Sequence, residues 1–435
     1  MRRSVSKHSR SAISGSGNFT LSGFLDSGEK LKLGRKHRPD YLIAVLMIVL
    51  SLIGLITLFS IAPAITMNYN TSVFMWRQGM FLVVGLITFF IVSRVPLDFW
   101  RKYGAAIFAL ALFLCFILPI MGYFSIPPAH CNFGACRWFS LGRIGTFQPA
   151  EFLKFGIVLF TSGFLAARIS LGKINDWRRT LIPLFIILLI SLFMIVVMQR
   201  DLGTGAALVA IVLTQAIIAG VKTRKLIGIF TLIAGLGTIS ILIAPHRLAR
   251  IATFVGQGNE ITDHHINQAM IALGSGGVFG RGLGQSVQAF GWLPEAIHDS
   301  IFAIIGEMFG FVGAVAILIL FAILLKRIIG KVDFLENSYL RLVVAGIFGW
   351  IVAHVILNIG AMTHVLPITG ITLPLVSLGG TSLIFIMAGL GIVFAISRYT
   401  THQKIKNQKG GVEENADSMR RRRVGRSYHA DRSSR

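Results

Sequence analysis

Residues 41–66 read YLIAVLMIVLSLIGLITLFSIAPAIT, an unbroken apolar stretch without a charged side chain. At about 1.5 Å rise per residue, a helix of this length crosses the roughly 30 Å hydrocarbon core of a bilayer. A surface helix of a soluble domain needs a polar face, and this one has none. As the first apolar run in the chain, it reads as a span and not as a cleavable signal peptide. Similar runs recur near 73–93, 104–124, 149–169, 180–199, 202–221, 226–245, 299–325, 339–362 and 381–398. The fifth and sixth runs together, about 40 residues, would overshoot the bilayer as one helix. Two helices with a tight turn at Gln199, Arg200, Asp201 and Leu202 fit better. The fold class is therefore all-α, a polytopic membrane protein with about ten transmembrane helices. Composition agrees, with 54% hydrophobic residues, 33 Phe and only 14% charged residues; a soluble domain carries about 25% charged residues.

The net charge of +24 raises nucleic acid as a partner, but its distribution argues against that. The first 39 residues and the stretch from Arg398 onward hold 20 of the 42 basic residues. Three units follow: a disordered basic tail (1–40), a ten-span membrane domain (41–398) and a second such tail (399–435). The run Arg420 to Arg423 reads as a topology signal with attraction to anionic membrane lipid. Every even-numbered span exits into basic residues: Arg94, Arg101 and Lys102; Arg168, Lys173, Arg178 and Arg179; Lys222, Arg224 and Lys225; Lys326, Arg327 and Lys331. The positive-inside rule places those loops and both tails in the cytoplasm. Loops 67–72, 125–148, 200–201, 246–298 and 363–380 then lie outside.

Ionisable groups at membrane depth are costly and are functional candidates by default. Loop 125–148 and the start of the fourth span carry Arg137, Trp138, Arg143, Glu151 and Lys154. Glu151 and Lys154 can pair at i,i+3; alternatively Lys154 and the arginines form a basic pocket for an anion. Pro149 suits the first turn of a helix. Cys131 and Cys136 share this loop, and a bridge is allowed if it lies outside the cytoplasm. With His130 they fall short of the four ligands of a structural zinc. Asp201 and Gly203 suit a turn and a helix start, with Arg200 as a further external cation.

Loop 246–298, between spans seven and eight, is too long for a mere connector. Ile266, Met270 and Leu273 recur at helical spacing among His264, His265, Asn267 and Gln268. This predicts an amphipathic helix at the membrane surface, with the histidines on its polar face. Next come Gly274 to Gly284 (GSGGVFGRGLG) and Trp292 to Asp299 (WLPEAIHD). The glycines lack the strand–turn–helix context of a nucleotide loop. They permit close backbone approach, with Arg281 beside them. Asp299 opens the eighth span, where capping is its alternative role. Glu307 lies two turns deeper and needs a basic partner or a proton. Residues 366–382 (LPITGITLPLVSLGGTS), including Ser377, break the helix at membrane depth, which is tolerated where backbone lines a protein cavity. His354 and Asn358, one turn apart, suit hydrogen bonding between helices.

These four segments, in this order across ten spans, resemble the SEDS family (shape, elongation, division and sporulation proteins), from about Tyr41 to Arg398. Gly280 to Gly284 and Gly370 to Leu375 are more similar to division-type members than to elongation-type ones. Family members usually carry Pro where this chain has Arg200, and His-Thr where it has Ile297 and His298. An aromatic residue is common at Leu378. The resemblance implies a peptidoglycan glycosyltransferase that uses lipid II. Asp299 would be the general base, and Arg137, Trp138, Lys154, Arg200, Arg281, Glu307 and Ser377 would form the substrate site. It further implies Mg²⁺ or Mn²⁺ on the pyrophosphate, a class B penicillin-binding protein as partner, and other division proteins. A lipid II flippase is the competing reading, and would need charges spread through the middle of the bundle. A non-catalytic division scaffold is the third, and would tolerate loss of Asp299.

Overall fold

The computed structural model describes residues 31, 36–65, 71–132, 135–142, 145–242, 248, 254 and 260–400. Arg143 and most of both basic tails lie outside the described residues. Ten helices match the expected spans: α1 (Tyr41–Ile65), α2 (Thr71–Val92), α3 (Leu97–Tyr123), α4 (Pro149–Ser170), α5 (Trp177–Met198), α6 (Leu202–Ile218), α7 (Thr223–Leu242), then α9 (Ile301–Ile329), α10 (Ser338–Met362) and α11 (Gly380–Ile396). Eight of these are long and apolar enough to cross a membrane; α6 and the described apolar part of α2 are shorter. Between α7 and α9 lies α8 (Glu260–Ser275), the amphipathic helix. Its buried stripe is Ile266, Ala269 and Ala272, while Met270 is exposed. The small alanines let α8 lie close against α9.

α10 and α11 are the most enclosed spans. α10 packs on α4, α6 and α9, and α11 packs chiefly on α2. Gln215 of α6 ties this centre together: its Nε2 donates to Val158 O (3.0 Å), Ser162 Oγ (2.8 Å) and Leu342 O (3.3 Å). Such bonds hold helices together where the hydrophobic effect between them is absent. α7 stands at the periphery, with Ile227, Leu232, Leu236 and Ile239 exposed as a lipid-facing surface requires.

Loop 125–148 is more ordered than the sequence suggests. It forms a three-stranded antiparallel sheet of β1 (Ala129–Asn132), β2 (Ala135–Ser140) and β3 (Thr146–Phe147), seated on the end of α3. Cys131 and Cys136 face each other across β1 and β2 and are joined as a disulfide, which removes both from any zinc set. Helix alternation puts this sheet at the same end as the start of α9 and residues 363–380. At the opposite, basic end the two chain termini of the bundle meet. His37 N donates to Arg398 O (2.7 Å), Asp40 N donates to Ser397 Oγ (2.9 Å), and Lys331 pairs with Asp40 (2.6 Å).

α9 is not continuous. At Gly310 (φ 66°, ψ −165°) the backbone leaves the helix. A regular ladder would join the 311 and 312 N–H groups to the 307 and 308 carbonyls. Here the glycine-rich loop takes both sets. Phe311 N donates to Gly277 O (2.9 Å) and Val312 N to Val278 O (3.1 Å). In return Arg281 N donates to Glu307 O (2.9 Å) and Gly282 N to Met308 O (3.0 Å). Unsatisfied backbone groups at membrane depth cost several kcal/mol each, so the loop is a structural part of the bundle. Its glycines let backbone meet backbone: a Cβ at Gly280 would strike the Met308 carbonyl, and one at Gly310 would strike Val278 and Gly280. Gly310→Ala is therefore expected to destabilise the protein in detergent by about 2 kcal/mol or more. Gly228→Ala, where a methyl meets open space in α7, should be neutral or stabilising by roughly 0.5–1 kcal/mol. Thermal unfolding of the two variants, side by side, checks the pair.

Candidate active site

Asp299 immediately precedes α9, whose N-cap is Ser300 with no side-chain cap bond. The N-cap position is thus taken by Ser300 and not by the aspartate. Asp299 is buried, at 7% exposure. Its backbone carbonyl accepts from Asn358 Nδ2 (2.7 Å), and the same amide nitrogen donates to Ile371 O (2.7 Å). One side chain of α10 therefore fixes the entry of α9 and the 366–382 segment together. A second tie runs alongside, with Leu378 N donating to Ile297 O (2.9 Å) and His298 Nδ1 lying 2.9 Å from Leu378 O.

The 366–382 segment is no ordinary external loop. Ile371, Leu373, Leu375, Val376 and Ser377 are all buried. Ser377 Oγ accepts from Leu373 N (2.8 Å), closing a turn in which Leu375 adopts a positive φ of 66°. Irregular backbone survives at this depth because the protein supplies its partners. Ser377 therefore shapes the segment and uses its hydroxyl to do so.

Glu151, Lys154 and His354 form a buried chain below. Lys154 Nζ lies 2.7 Å from Glu151 Oε1 and 2.7 Å from His354 Nε2. Trp350 Nε1 also donates to His354 Nε2 (3.2 Å), and His354 Nδ1 faces Thr372 O at 3.3 Å. Two donors on Nε2 and an acceptor at Nδ1 assign the neutral Nδ1–H tautomer. Of the two readings of Lys154 the structure has the pair with Glu151, and the contact with His354 also braces α4 against α10. Lys154 is fully enclosed, not presented to an anion.

Glu307 is equally enclosed. Ser286 Oγ (2.6 Å), Val287 N (3.0 Å) and Gln288 N (3.3 Å) donate to its carboxylate, and Arg281 lies 3.9 Å away. It organises the loop that carries Arg281, whose half-exposed guanidinium also donates to Ser275 O (3.3 Å). Arg137 of β2 grips the turn between α5 and α6, donating from Nε to Gln199 O (3.0 Å) and from Nη2 to Arg200 O (2.8 Å). Arg200, with a positive φ of 56°, leaves its side chain exposed; Trp138 stands opposite His130 in the sheet, partly exposed. Asp201 caps α6 as expected, accepting from Thr204 N (2.9 Å).

The candidate residues thus sort into exposed cations (Arg200, Arg281), a half-buried clamp (Arg137), a partly exposed aromatic (Trp138) and enclosed supports (Lys154, Glu307, Ser377), with Asp299 buried at the entry of α9. Sequence reading missed Ser286 and Ser300, whose partners lie far away or in backbone. Removing one member of the buried pair leaves the other as an uncompensated charge. Lys154→Met is expected to lower stability by about 3–5 kcal/mol. The Glu151→Gln, Lys154→Met double variant should lose less than the two single losses summed, as a thermal double-mutant cycle would show.

Comparison with known proteins agrees with this architecture. Stage V sporulation protein E of Bacillus subtilis is 33% identical over 375 residues, covering 85% of this chain and 99% of that protein. A Haemophilus influenzae protein named probable peptidoglycan glycosyltransferase FtsW is 33% identical over 358 residues, covering 81% and 88%. Among solved structures, a chain of a peptidoglycan synthase complex aligns with a TM-score of 0.68 at 24% identity, over 84% of this chain and 99% of that one. Thermus thermophilus rod shape determining protein RodA aligns at 0.61 and 24% identity, over 83% and 98%, and shares the fold. The family model described as cell cycle protein, FtsW/RodA/SpoVE, matches residues 39–402, and the chain belongs to that family.

Proposed function

We propose that this protein is a peptidoglycan glycosyltransferase. In this reading it polymerises glycan strands from lipid II and releases undecaprenyl pyrophosphate during cell division. The observation that carries the reading is Asp299, a buried carboxylate whose backbone is locked by Asn358 at the end of the bundle bearing the disulfide. Disulfides persist in oxidising compartments, and the opposite end is basic. Both support an extracytoplasmic site with cytoplasmic termini. The name carried by the Haemophilus influenzae relative supports the chemistry.

The lipid-linked sugar of the growing strand is the donor and a lipid II hydroxyl is the acceptor. The hydroxyl oxygen attacks the anomeric carbon, and the bond from that carbon to pyrophosphate breaks with its electron pair leaving on oxygen. Asp299 takes the hydroxyl proton as general base. Arg200 and Arg281, exposed near the rim, offset the negative charge of the leaving group. Arg137 holds the α5–α6 turn that displays Arg200, and Trp138 offers an aromatic face to sugar. Lys154, Glu307 and Ser377 act from beneath, as braces of α4, the glycine-rich loop and the irregular segment. For the divalent ion, the fit is poor on protein donors alone. Among the described residues no three His, Cys, Asp or Glu side chains converge to hold one. A class B penicillin-binding protein that crosslinks the product, with other division proteins, completes the proposed assembly.

Polymerisation of labelled lipid II by purified protein, with its penicillin-binding partner, tests the reading. Asp299→Asn should lower kcat by about 10²–10⁴-fold while lipid II binding is retained. Full activity in that variant removes Asp299 as the base. Absence of product even from wild type, with labelled lipid II crossing liposome membranes, would favour a flippase. Arg200→Ala and Arg281→Ala should each raise KM for lipid II by roughly tenfold, a charge-assisted bond's worth, and more at low salt.

A further inference from the structure

A general base must discharge its proton after every sugar added, and Asp299 is only 7% exposed. The residues around it offer a path. Ser300 is fully buried, and its Oγ lies 3.4 Å from Asp299 Oδ1. On its other side the same hydroxyl lies 2.8 Å from His265 Nε2, on α8, and it donates to Pro294 O (2.9 Å). His265 is partly exposed. The adjacent His264 Nε2 lies 3.0 Å from Trp292 O, so α8 is fastened to the 292–300 segment at two points.

We propose that His265 is the proton outlet of Asp299, acting through the Ser300 hydroxyl; this rests on Asp299 serving as the base. The Ser300 O–H turns from Pro294 O toward the lone pair on His265 Nε2, and the protonated carboxyl gives its proton to Ser300 Oγ as Ser300 gives its own to that lone pair. One O–H bond breaks and one forms at Ser300, and one N–H bond forms at His265. The products are the Asp299 carboxylate, a neutral serine and an imidazolium that loses its proton to solvent. The other titratable groups nearby are engaged elsewhere. Glu295 and His298 face each other at 3.9 Å, Glu307 is held by the glycine-rich loop, and His354 of α10 is held by Lys154. His265 is thus a positioning and relay residue that touches no substrate.

The test uses the full chain with its partner, following glycan synthesis from labelled lipid II across pH 5.5–8.5. Wild type, His265→Gln, Ser300→Ala and Asp299→Asn are compared. Wild type should lose activity toward acidic pH, as a proton occupies the His265 lone pair that the relay uses. His265→Gln should lower kcat by about tenfold at neutral pH with KM unchanged, lose that acidic limb, and recover when free imidazole is added. Ser300→Ala should reproduce the kcat loss without imidazole rescue. If Asp299→Asn is inactive but His265→Gln keeps wild-type kcat and pH profile, the relay is wrong and the base stands. If His265→Gln loses kcat, KM and thermal stability together without rescue, His265 is only a brace and the relay is wrong. If Asp299→Asn is active, both fall.

Discussion

Four backbone hydrogen bonds across the break at Gly310 are the constraint on which the outer half of this protein depends. A helix that opens inside a membrane exposes two carbonyls and two N–H groups that lipid cannot satisfy. The 277–282 backbone supplies all four partners. Fixing that loop fixes Arg281, brings Ser286, Val287 and Gln288 onto the Glu307 carboxylate, and so gives a buried charge the donors it requires. The loop and α9 are each incomplete without the other. The glycines that sequence analysis takes for openness to a ligand are needed first for contact between two main chains.

α10 does the same for the other side. Its Asn358 amide holds the carbonyls of Asp299 and Ile371, and one turn away His354 joins Lys154 to Thr372. Two irregular stretches therefore converge on α10 through a side-chain amide and an imidazole, not through apolar packing alone. Rigid support of this kind is what a general base needs, because its carboxylate must be placed before the substrate arrives.

The spans were legible because each is about 20 apolar residues and a bilayer permits little else. Asp299 and Glu307 stood out because carboxylates at membrane depth are rare. The sheet at 129–147 was not legible: its strands are short, polar and held by a disulfide, so no alternating pattern emerges. The break in α9 was hidden for the opposite reason, since Gly310 sits in an apolar run that reads as unbroken helix. Its repair is made of backbone bonds, which carry no side-chain signature beyond the glycines. His265 read as one half of a polar face because its partner, Ser300, lies 35 residues away. Lys154 offered two readings, and only the position of His354 on α10 decides how it is held.

The most direct test of the account is a structure of the Asp299→Asn variant with a lipid-linked pyrophosphate disaccharide bound. The account places the sugars against the end of the bundle formed by the sheet, the 292–300 segment and residues 366–382. A sugar hydroxyl should lie within hydrogen-bond distance of side chain 299, and the pyrophosphate should lie toward Arg200 and Arg281. Sugars seated midway through the bundle, away from residue 299, would contradict it and point to passage of the lipid in place of polymerisation.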